Sequence, residues 1–334
     1  MSKRASLFWY YWERFGILAI LIVTLIVFTI IIPPPENPGD PHRLFNLNNL
    51  LTVLSRSAIV AIPALGMTFA ICSGGFDLSV GSIVALSTCV WAAAVPAVGI
   101  VSATLLTLLV GALCGALNGL AITKLKIVTF VATLSMSFII RGVAWAATDG
   151  KNIVIERGKN PEAKFFAQNV SVFGQQIQLT PLLLMILVFA GGYLLYRYTR
   201  FGVYTRSVGS HEPSARTSGL PVNLTLIFVF MLTGVTASMS AIITSSQLMQ
   251  GASTMGVGFE LQVITAAILG GTSLAGGKGN IWGSMVAAIM LTLIRNGLNI
   301  LGLSEEYQLL AIGFILLLAL AISGIQELMK EARE

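Results

Sequence analysis

Residues 15–32 read FGILAILIVTLIVFTIII, an apolar stretch without a single charge that stops at Pro33-Pro34-Pro35. A helix needs about 20 such residues to cross the hydrocarbon core of a bilayer. A cleaved signal peptide is the alternative, but no small-x-small cleavage site follows the stretch, and further apolar runs do. We therefore predict a retained first transmembrane helix that runs from the cytoplasm outward.

The composition of the whole chain agrees with this prediction. Of its 334 residues, 55% are hydrophobic and only 10% are charged, and the mean hydropathy is +0.85. Soluble domains carry about 25% charged residues, so this chain has too few polar side chains to cover a water-exposed surface. We predict an all-α, polytopic integral membrane protein that forms a single transmembrane domain over residues 1–334.

Apolar runs of similar length recur along the chain. The predicted fold has about ten transmembrane helices, with both termini in the cytoplasm. Two links, Gly74 to Leu78 and Gly270 to Asn280, are short enough to be breaks inside the membrane, which leaves the helix count open. The spans predicted after the first lie near residues 50–72, 80–97, 99–123, 128–147, 180–197, 222–246, 258–274, 281–302 and 307–325.

The positive charges set the predicted orientation. The net charge is +6, and cytoplasmic loops of membrane proteins are enriched in Lys and Arg, which explains the basic charge without nucleic-acid binding. We assign residues 1–14, 198–221 and 326–334 to the cytoplasm. Residues 33–46 and 148–179 mix the two signs and are assigned to the outside, where the second loop is long enough to form a small cap. The positive residues assigned to the inside are Lys3, Arg4, Arg14, Lys124, Lys126, Arg197, Arg200, Arg206 and Arg216.

The glycine-rich stretch GGTSLAGGKGN, residues 270–280, is superficially similar to a phosphate-binding loop. A Walker A loop requires G-x-x-x-x-G-K-[ST], in which backbone N–H groups surround the phosphates and the final hydroxyl binds magnesium. With Lys278 in register, the first position is Thr272 and the last is Gly279, so both diagnostic positions fail. Since no soluble domain is predicted anywhere in the sequence, any ATPase would have to reside on another polypeptide.

Glycines at two links predict bends between or within helices. The stretch SGGFDLSVGS, residues 73–82, repeats the G-G-x-x-L spacing of residues 270–274. Glycine tolerates positive φ and lets backbones approach closely, so the pattern suits both tight helix–helix turns and interrupted helices. The predicted break residues are Gly74, Gly75, Gly270, Gly271, Gly276 and Gly277.

A few polar residues fall within or beside the predicted spans. A carboxylate near the membrane centre is costly, so we predict a structural or gating role for Asp77, unless it lies at the cytoplasmic interface. Arg141 either pairs with a carboxylate or lines the pathway, or its long side chain extends to the outer interface. Arg295, Asn296 and Asn299 form a polar stripe that faces the pathway or joins helices.

The remaining reactive side chains suggest neither a catalytic nor a metal site. Cys72, Cys89 and Cys114 lie in apolar segments without C-x-x-C spacing, as small buried thiols commonly do. His42 and His211 fall in loops predicted on opposite sides of the membrane. The sequence therefore predicts no metal set, no catalytic constellation and no cofactor in this chain.

A short helix is predicted in the loop after the sixth span, within VGSHEPSARTSGL, residues 208–220. Ser210 suits the N-cap, and Glu212 and Pro213 suit the first turn. Gly219 suits the C-terminal stop. These residues predict a helix of about two turns on the cytoplasmic face.

Five blocks of the sequence resemble the membrane permease subunits of bacterial ribose-type sugar ABC importers. They follow the order of that family from near residue 50 to near residue 325, and together they are specific although each is weak alone. The blocks are GMTFAICSGGFDLSVGSIVAL (66–86), LNGLAITKLKIVTFVATL (117–134), TRFGVYTRSVGSHEPSARTSGL (199–220), GFELQVITAAILGGTSLAGGKGNIWGS (258–284) and RNGLNILGLSEEYQ (295–308).

The resemblance implies a role for the loop helix. It is similar to the E-A-A-x-x-x-G coupling element of that family, which docks into a groove on the ATPase. Glu212, Ala215 and Gly219 occupy comparable positions, whereas Pro213 and Ser214 replace the usual alanines. The start of the helix is expected to differ for that reason.

The resemblance also implies the setting of the protein. It places the chain in the bacterial inner membrane with a cytoplasmic ATP-binding subunit, a periplasmic sugar-binding protein and a second permease copy, identical or different. ATP and magnesium would bind only to the partner ATPase. The implied solute is a sugar, first of all a monosaccharide, and a neutral solute suits the scarcity of intramembrane charge.

Other functions compete with this reading. A nucleoside or another small polar solute is the alternative cargo for an ATP-driven importer. An ion-coupled secondary transporter would need a coupling site, for which Asp77 is the only obvious acidic candidate, with no second buried carboxylate to support it. A membrane-embedded enzyme would need a catalytic constellation, which the sequence does not suggest.

Overall fold

The structure is a computed structural model that describes residues 3–34, 42–172 and 175–331. Side chains are described between residues 17 and 318 of those ranges. The predicted cytoplasmic charges of Lys3, Arg4, Arg14 and segment 326–334 therefore lie outside the described side chains.

Helices dominate the described chain. Between them lie the strands β1 (Ile153–Val154), β2 (Asn169–Val172), β3 (Gln175–Gln178) and β4 (Gln250–Gly251), and a 3-10 helix, Pro161–Ala167. The α-helices are α1 (Lys3–Ile31), α2 (Leu47–Cys72), α3 (Val80–Lys124), α4 (Thr129–Thr148), α5 (Leu179–Tyr198), α6 (Arg200–Ser210), α7 (Glu212–Thr217), α8 (Val222–Leu248), α9 (Phe259–Leu269), α10 (Ile281–Ile300) and α11 (Glu305–Glu331).

Each predicted span coincides with one of these helices or with half of α3. The two spans predicted around Gly99 meet at that residue, whose φ of 75° and ψ of 166° are not helical. Glycine adopts this conformation without steric cost, so the chain bends there. Within the described residues, α2, α3, α4, α5, α8 and α10 are the 6 helices long and apolar enough to cross a membrane. The prediction of an all-α polytopic membrane protein is confirmed.

Helices α2 and α8 form the centre of the bundle. Most residues of α2 and α8 are buried, as are those of α3 before its bend, whereas most residues of α4 and α5 are not. The peripheral helices instead expose large apolar side chains such as Phe138 on α4 and Leu187 on α5. Such a surface suits lipid rather than water.

Small residues bring α3 and α8 into close contact. Gly111, Gly115 and Gly119 are spaced four residues apart on α3 and face α8. A Cβ atom at Gly115 would lie 2.7 Å from the carbonyl carbon of Phe230, and one at Gly119 would lie 2.6 Å from the Cα of Ile227. Membrane helices associate through small residues because close backbones gain dispersion energy that lipid cannot supply.

The segment between α4 and α5 forms the predicted cap. β1 pairs antiparallel with β4, which follows α8, and β2 pairs with β3. Ile155 and Ala163 bury against Trp91 of α3. Lys164 donates to the carbonyl of Gln247, and burial, together with the charge of nearby Arg157, lowers the pKa of Lys164. We call this end of the bundle the cap end; the opposite end carries α6 and α7 and is called the α7 end.

Helix α9 is shorter than the predicted span 258–274. It ends at Leu269 because the chain turns at Gly270 and Gly271, and Gly271 has a φ of 93°. Its 11 residues cover about 16 Å, roughly half of the hydrocarbon core. The irregular segment 252–258, with positive φ at Gly256 and Gly258, covers the remaining distance from the cap end.

The loop before α8 holds two helices rather than one. The prediction of Ser210 as an N-cap is wrong, because α6 continues through Ser210. His211 is the N-cap of α7 instead, with an extended backbone (φ −163°, ψ 98°). Its Nδ1 accepts a hydrogen bond from the backbone N–H of Ser214 at 3.2 Å, which replaces the side-chain oxygen of an ordinary N-cap.

Candidate functional site

Helix α7 presents one polar face outward. Glu212 and Arg216 form an ion pair across one helical turn, with Arg216 Nη2 and Glu212 Oε1 2.7 Å apart. Both side chains are nearly half exposed, and Arg216 also donates to Asn223 at the start of α8. Exposed pairs of this kind contribute less than about 1 kcal/mol to stability, so this face is free to contact another protein without cost to the fold.

The other two predicted coupling residues, Ala215 and Gly219, have structural roles: Ala215 packs against the bundle, and Gly219 ends α7. Ala215 is only 4% exposed and packs with Val208, Leu226 and Phe230. Gly219 has a φ of 77°, and no atom lies within 4 Å of where its Cβ would stand. Gly219 therefore stops α7 through its left-handed conformation rather than through tight packing.

The predicted break glycines divide into two kinds. Four of them, Gly74, Gly271, Gly276 and Gly277, have positive φ and form turns. The other two are constrained by packing: a Cβ atom at Gly75 would lie 2.9 Å from Thr129 Cγ2, and one at Gly270 would lie 2.5 Å from the carbonyl carbon of Gly283. Both glycine stretches approach the end of α6 at the α7 end of the bundle.

The backbone of the 270–280 loop is already hydrogen-bonded within the protein. The N–H of Gly277 donates to the carbonyl of Cys72 at 2.8 Å, and the N–H of Gly279 donates to the Tyr196 hydroxyl at 2.8 Å. The N–H of Gly276 donates to Ser273. A phosphate-binding loop needs such donors free for its ligand, so the geometry agrees with the sequence in rejecting a nucleotide site here.

Asp77 lies fully buried in a polar network between α3 and α8. Its Oδ1 accepts from the backbone N–H and the hydroxyl of Ser79, at 2.9 and 2.6 Å, and from Asn118 at 3.4 Å. Its Oδ2 accepts from the hydroxyl of Thr233 at 2.6 Å. These donors join the beginning of α3 to the middle of α8, which supports the structural role proposed for Asp77.

Replacement of Asp77 tests that role. An Asp77→Leu variant would leave the backbone N–H and the hydroxyl of Ser79 without their acceptor, at about 1–3 kcal/mol each, and we expect a markedly lower melting temperature in detergent. Asp77→Asn keeps one acceptor oxygen, and Thr233 can donate to the Phe230 carbonyl, which lies 2.7 Å away. We therefore expect Asn at this position to melt near the wild type. Wild-type stability with lost transport in the Asn variant would instead show that the charge itself is needed.

Arg141 holds the irregular segment that precedes α9. One guanidinium nitrogen donates to the carbonyls of Ser253 and Met255, at 2.8 and 3.0 Å, and the other donates to Gly256 at 3.4 Å. The side chain is therefore directed into the bundle. Irregular backbone at membrane depth is tolerated where the protein itself satisfies its polar groups, and Arg141 does so here.

The two asparagines of the predicted stripe pair with other helices. Asn296 on α10 and Asn49 on α2 exchange two side-chain hydrogen bonds, at 3.0 and 2.9 Å. Asn299 accepts from Gln308 of α11 at 2.7 Å. We infer that both residues join helices, and a role in the pathway remains a prediction.

The sequence did not indicate the contacts that join the end of α5 and α6 to the 270–280 loop. Tyr196 and Gly209 contact the 270–280 loop although they lie about 70 residues or more away along the chain, and Arg206 contacts Tyr196. The sequence around Tyr196 and Gly209 does not indicate that they contact this loop. Gly209 was the one visible signal, since a glycine just before a predicted cap suggests a close approach.

The fold and these contacts define a multi-pass α-helical membrane protein with interrupted helices and a short exposed helix at one end. Residues 49–320 match the family described as the branched-chain amino acid transport system / permease component. The match covers most of the chain, and the chain belongs to this permease family.

Individual relatives agree with the resemblance seen in the sequence. The chain is 36% identical to the ribose import permease protein of Escherichia coli K12 over 93% of this chain and 94% of the relative. It is 36% identical to the ribose import permease protein of Bacillus subtilis, over 82% and 84%. The L-arabinose transport system permease protein of Escherichia coli K12 is 32% identical, over 92% and 89%. The ribose-type permease resemblance is confirmed, and the chain is a transport component rather than an enzyme.

Proposed function

We propose that this chain forms the translocation pathway of an ATP-driven importer for a monosaccharide. The observation that carries the proposal is its similarity, along almost the whole length, to permeases named for ribose and L-arabinose. A further relative, at 30% identity, is the D-allose transport system permease protein of Escherichia coli K12. These named solutes are all neutral sugars, which suits a bundle with few charges.

The proposed assembly has the partners that the sequence implied. Two permease copies sit in the bacterial inner membrane, with both termini and α7 on the cytoplasmic side. A separate subunit binds ATP and magnesium, and a periplasmic binding protein delivers the sugar to the cap end. The outward ion pair of Glu212 and Arg216, above the buried Ala215, supports α7 as the contact with that ATP-binding subunit.

Reconstitution tests the solute. We expect proteoliposomes that contain the permease, its ATP-binding subunit and its binding protein to accumulate radiolabelled D-ribose, L-arabinose or D-allose only in the presence of ATP. A branched-chain amino acid is the second candidate, because the family description names that solute. Uptake of L-leucine or a nucleoside, with none of the three sugars, would overturn the sugar assignment and retain the importer.

Replacement of Glu212 tests the contact with the ATP-binding subunit. Glu212→Ala removes an exposed ion pair and should leave the melting temperature almost unchanged, while co-purification of the ATP-binding subunit falls by about tenfold. Glu156 pairs with Lys159 at 2.7 Å and is also exposed, at the cap end, so Glu156→Ala is the matched control. Equal co-purification with both variants would exclude Glu212 from the interface.

A further inference from the structure

We propose that the Tyr196 hydroxyl positions the 270–280 loop against α6, so that movement of the adjoining α7 displaces α2 and α10 together. The inference rests on the proposed contact between α7 and an ATP-binding subunit. Five residues form the contact and are called the glycine junction: Cys72, Tyr196, Gly209, Gly277 and Gly279.

Three backbones meet in the glycine junction with no side chain between them. A Cβ atom at Gly209 would lie 2.8 Å from both the carbonyl carbon of Cys72 and the backbone nitrogen of Gly277. A Cβ atom at Gly276 would lie 2.5 Å from the carbonyl oxygen of Gly209. The end of α6, the end of α2 and the loop before α10 are thus in direct backbone contact.

Tyr196 joins the same three elements through its side chain and its carbonyl. Its hydroxyl accepts from the Gly279 N–H at 2.8 Å and lies 3.6 Å from the Cys72 sulfur. Arg206 of α6 donates to the Tyr196 carbonyl at 3.0 Å, and its guanidinium lies 4.8 Å from the centre of the Tyr196 ring. Arg206 of α6 therefore fixes the position of Tyr196, and the Tyr196 hydroxyl in turn binds the loop at Gly279.

The arrangement leaves little freedom between α7 and the loop. Only His211 separates α6 from α7, and Gly209 lies two positions before it. Side chains can absorb a displacement by changing rotamer, whereas backbones already in contact cannot. A force applied to α7 therefore displaces Gly209 against Cys72 and Gly277, at the ends of α2 and of the loop that leads into α10.

The Tyr196 hydroxyl is the part of the glycine junction that can be removed alone. Tyr196→Phe retains the ring contacts with Arg206 and Phe69 and deletes the acceptor for the Gly279 N–H together with the hydroxyl contact to the Cys72 sulfur. Tyr198 is exposed and lies two positions after Tyr196 at the end of α5, so Tyr198→Phe is the matched control. A position that merely stabilises the fold would lower transport and ATP hydrolysis in parallel.

The test uses the complete complex in proteoliposomes, with D-ribose uptake and ATP hydrolysis measured together. We expect Tyr196→Phe to hydrolyse ATP at the wild-type rate and to transport about three- to tenfold less D-ribose per ATP, the range expected for one lost hydrogen bond. Tyr198→Phe should match the wild type. A wild-type ratio in Tyr196→Phe, or a parallel fall in both activities, would overturn the inference.

A second measurement separates this inference from the choice of solute. The native cysteines Cys72, Cys89 and Cys114 are buried, so a Lys278→Cys variant offers one exposed thiol in the loop among the described residues. When Tyr196 is present, the rate at which maleimide labels this thiol should change on addition of ATP and vanadate. With the additional substitution Tyr196→Phe, the rate should stay constant. An equal change in both backgrounds refutes the inference. Failure of the wild-type complex to transport D-ribose refutes only the proposed solute.

Discussion

A Gly115→Leu variant is expected to yield little or no folded protein. A Cβ atom at this position would already lie 2.7 Å from the carbonyl carbon of Phe230 and 2.8 Å from the Cα of Met231, whereas carbon atoms in contact are about 3.5–4.0 Å apart. A leucine must therefore separate α3 from α8, which is the most extensive helix contact of the bundle. We expect destabilisation of at least about 3 kcal/mol, the upper end for overpacking.

The measurement is the yield of monodisperse protein on size exclusion in detergent, followed by its melting temperature. Gly191→Leu on α5 is the control, since no atom lies within 4 Å of a Cβ there and both residues are mid-helix glycines. We expect the control to purify and melt as the wild type does. Similar behaviour of the two variants would show that the close approach of α3 and α8 is not needed for folding.

An Arg141→Met variant is expected to loosen the segment 252–258 without unfolding the bundle. Methionine keeps an apolar side chain of similar length and removes the donors to the carbonyls of Ser253, Met255 and Gly256. Hydrogen bonds to charged groups contribute about 1.5–3 kcal/mol each. A local loss of about 3 kcal/mol corresponds to roughly 100-fold faster amide hydrogen exchange in this segment.

Hydrogen exchange followed by mass spectrometry measures this effect locally. The backbone of α2 and α8 should retain wild-type protection, because Arg141 contacts neither helix through its hydrogen bonds. Arg157→Met provides a control at an exposed position in the cap. If Arg141→Met leaves exchange in 252–258 unchanged, the segment is held by its own packing and the arginine is free for a role in the pathway.

Much of the fold was predictable because the membrane imposes a local rule. Every span must be helical and apolar over about 20 residues, so the bounds of α2, α4, α5 and α10 agree closely with the sequence prediction. The rule failed where a span is not a full helix. Helix α9 begins only at Phe259, after the irregular segment 252–258, and it ends at Leu269, where the chain turns at Gly270 and Gly271.

The existence of a short helix at α7 was predictable from the sequence, but the residue at which it begins was not. Glu212, Ala215 and Gly219 were identified through the resemblance to the permease family, and they occupy an outward face, an inward face and a helix stop. The N-cap was misplaced by one residue because α6 extends through Ser210. Gly202 of α6 packs against the backbone of Tyr196, a tertiary contact that the local sequence does not indicate.

The close contact of α3 with α8 had a readable signal that the sequence analysis did not use. Glycines at 111, 115 and 119 follow the small-xxx-small pattern of membrane helix interfaces. The pattern indicates that some backbone approaches this face, and the partner helix remains open. The structure assigns the partner as α8, through Phe230 and Ile227.

The sequence by itself determined that this chain is a multi-pass helical permease and that its glycine-rich loop is not a nucleotide site. The first conclusion depends on composition and on the resemblance of five sequence blocks to a permease family, and the second depends on motif register; all of these are properties of neighbouring residues. Only the tertiary structure decided that Asp77 binds Thr233, that Arg141 holds 252–258 and that Tyr196 joins the loop to α6. These contacts join residues that are far apart in the chain, so they exist only once the helices have packed.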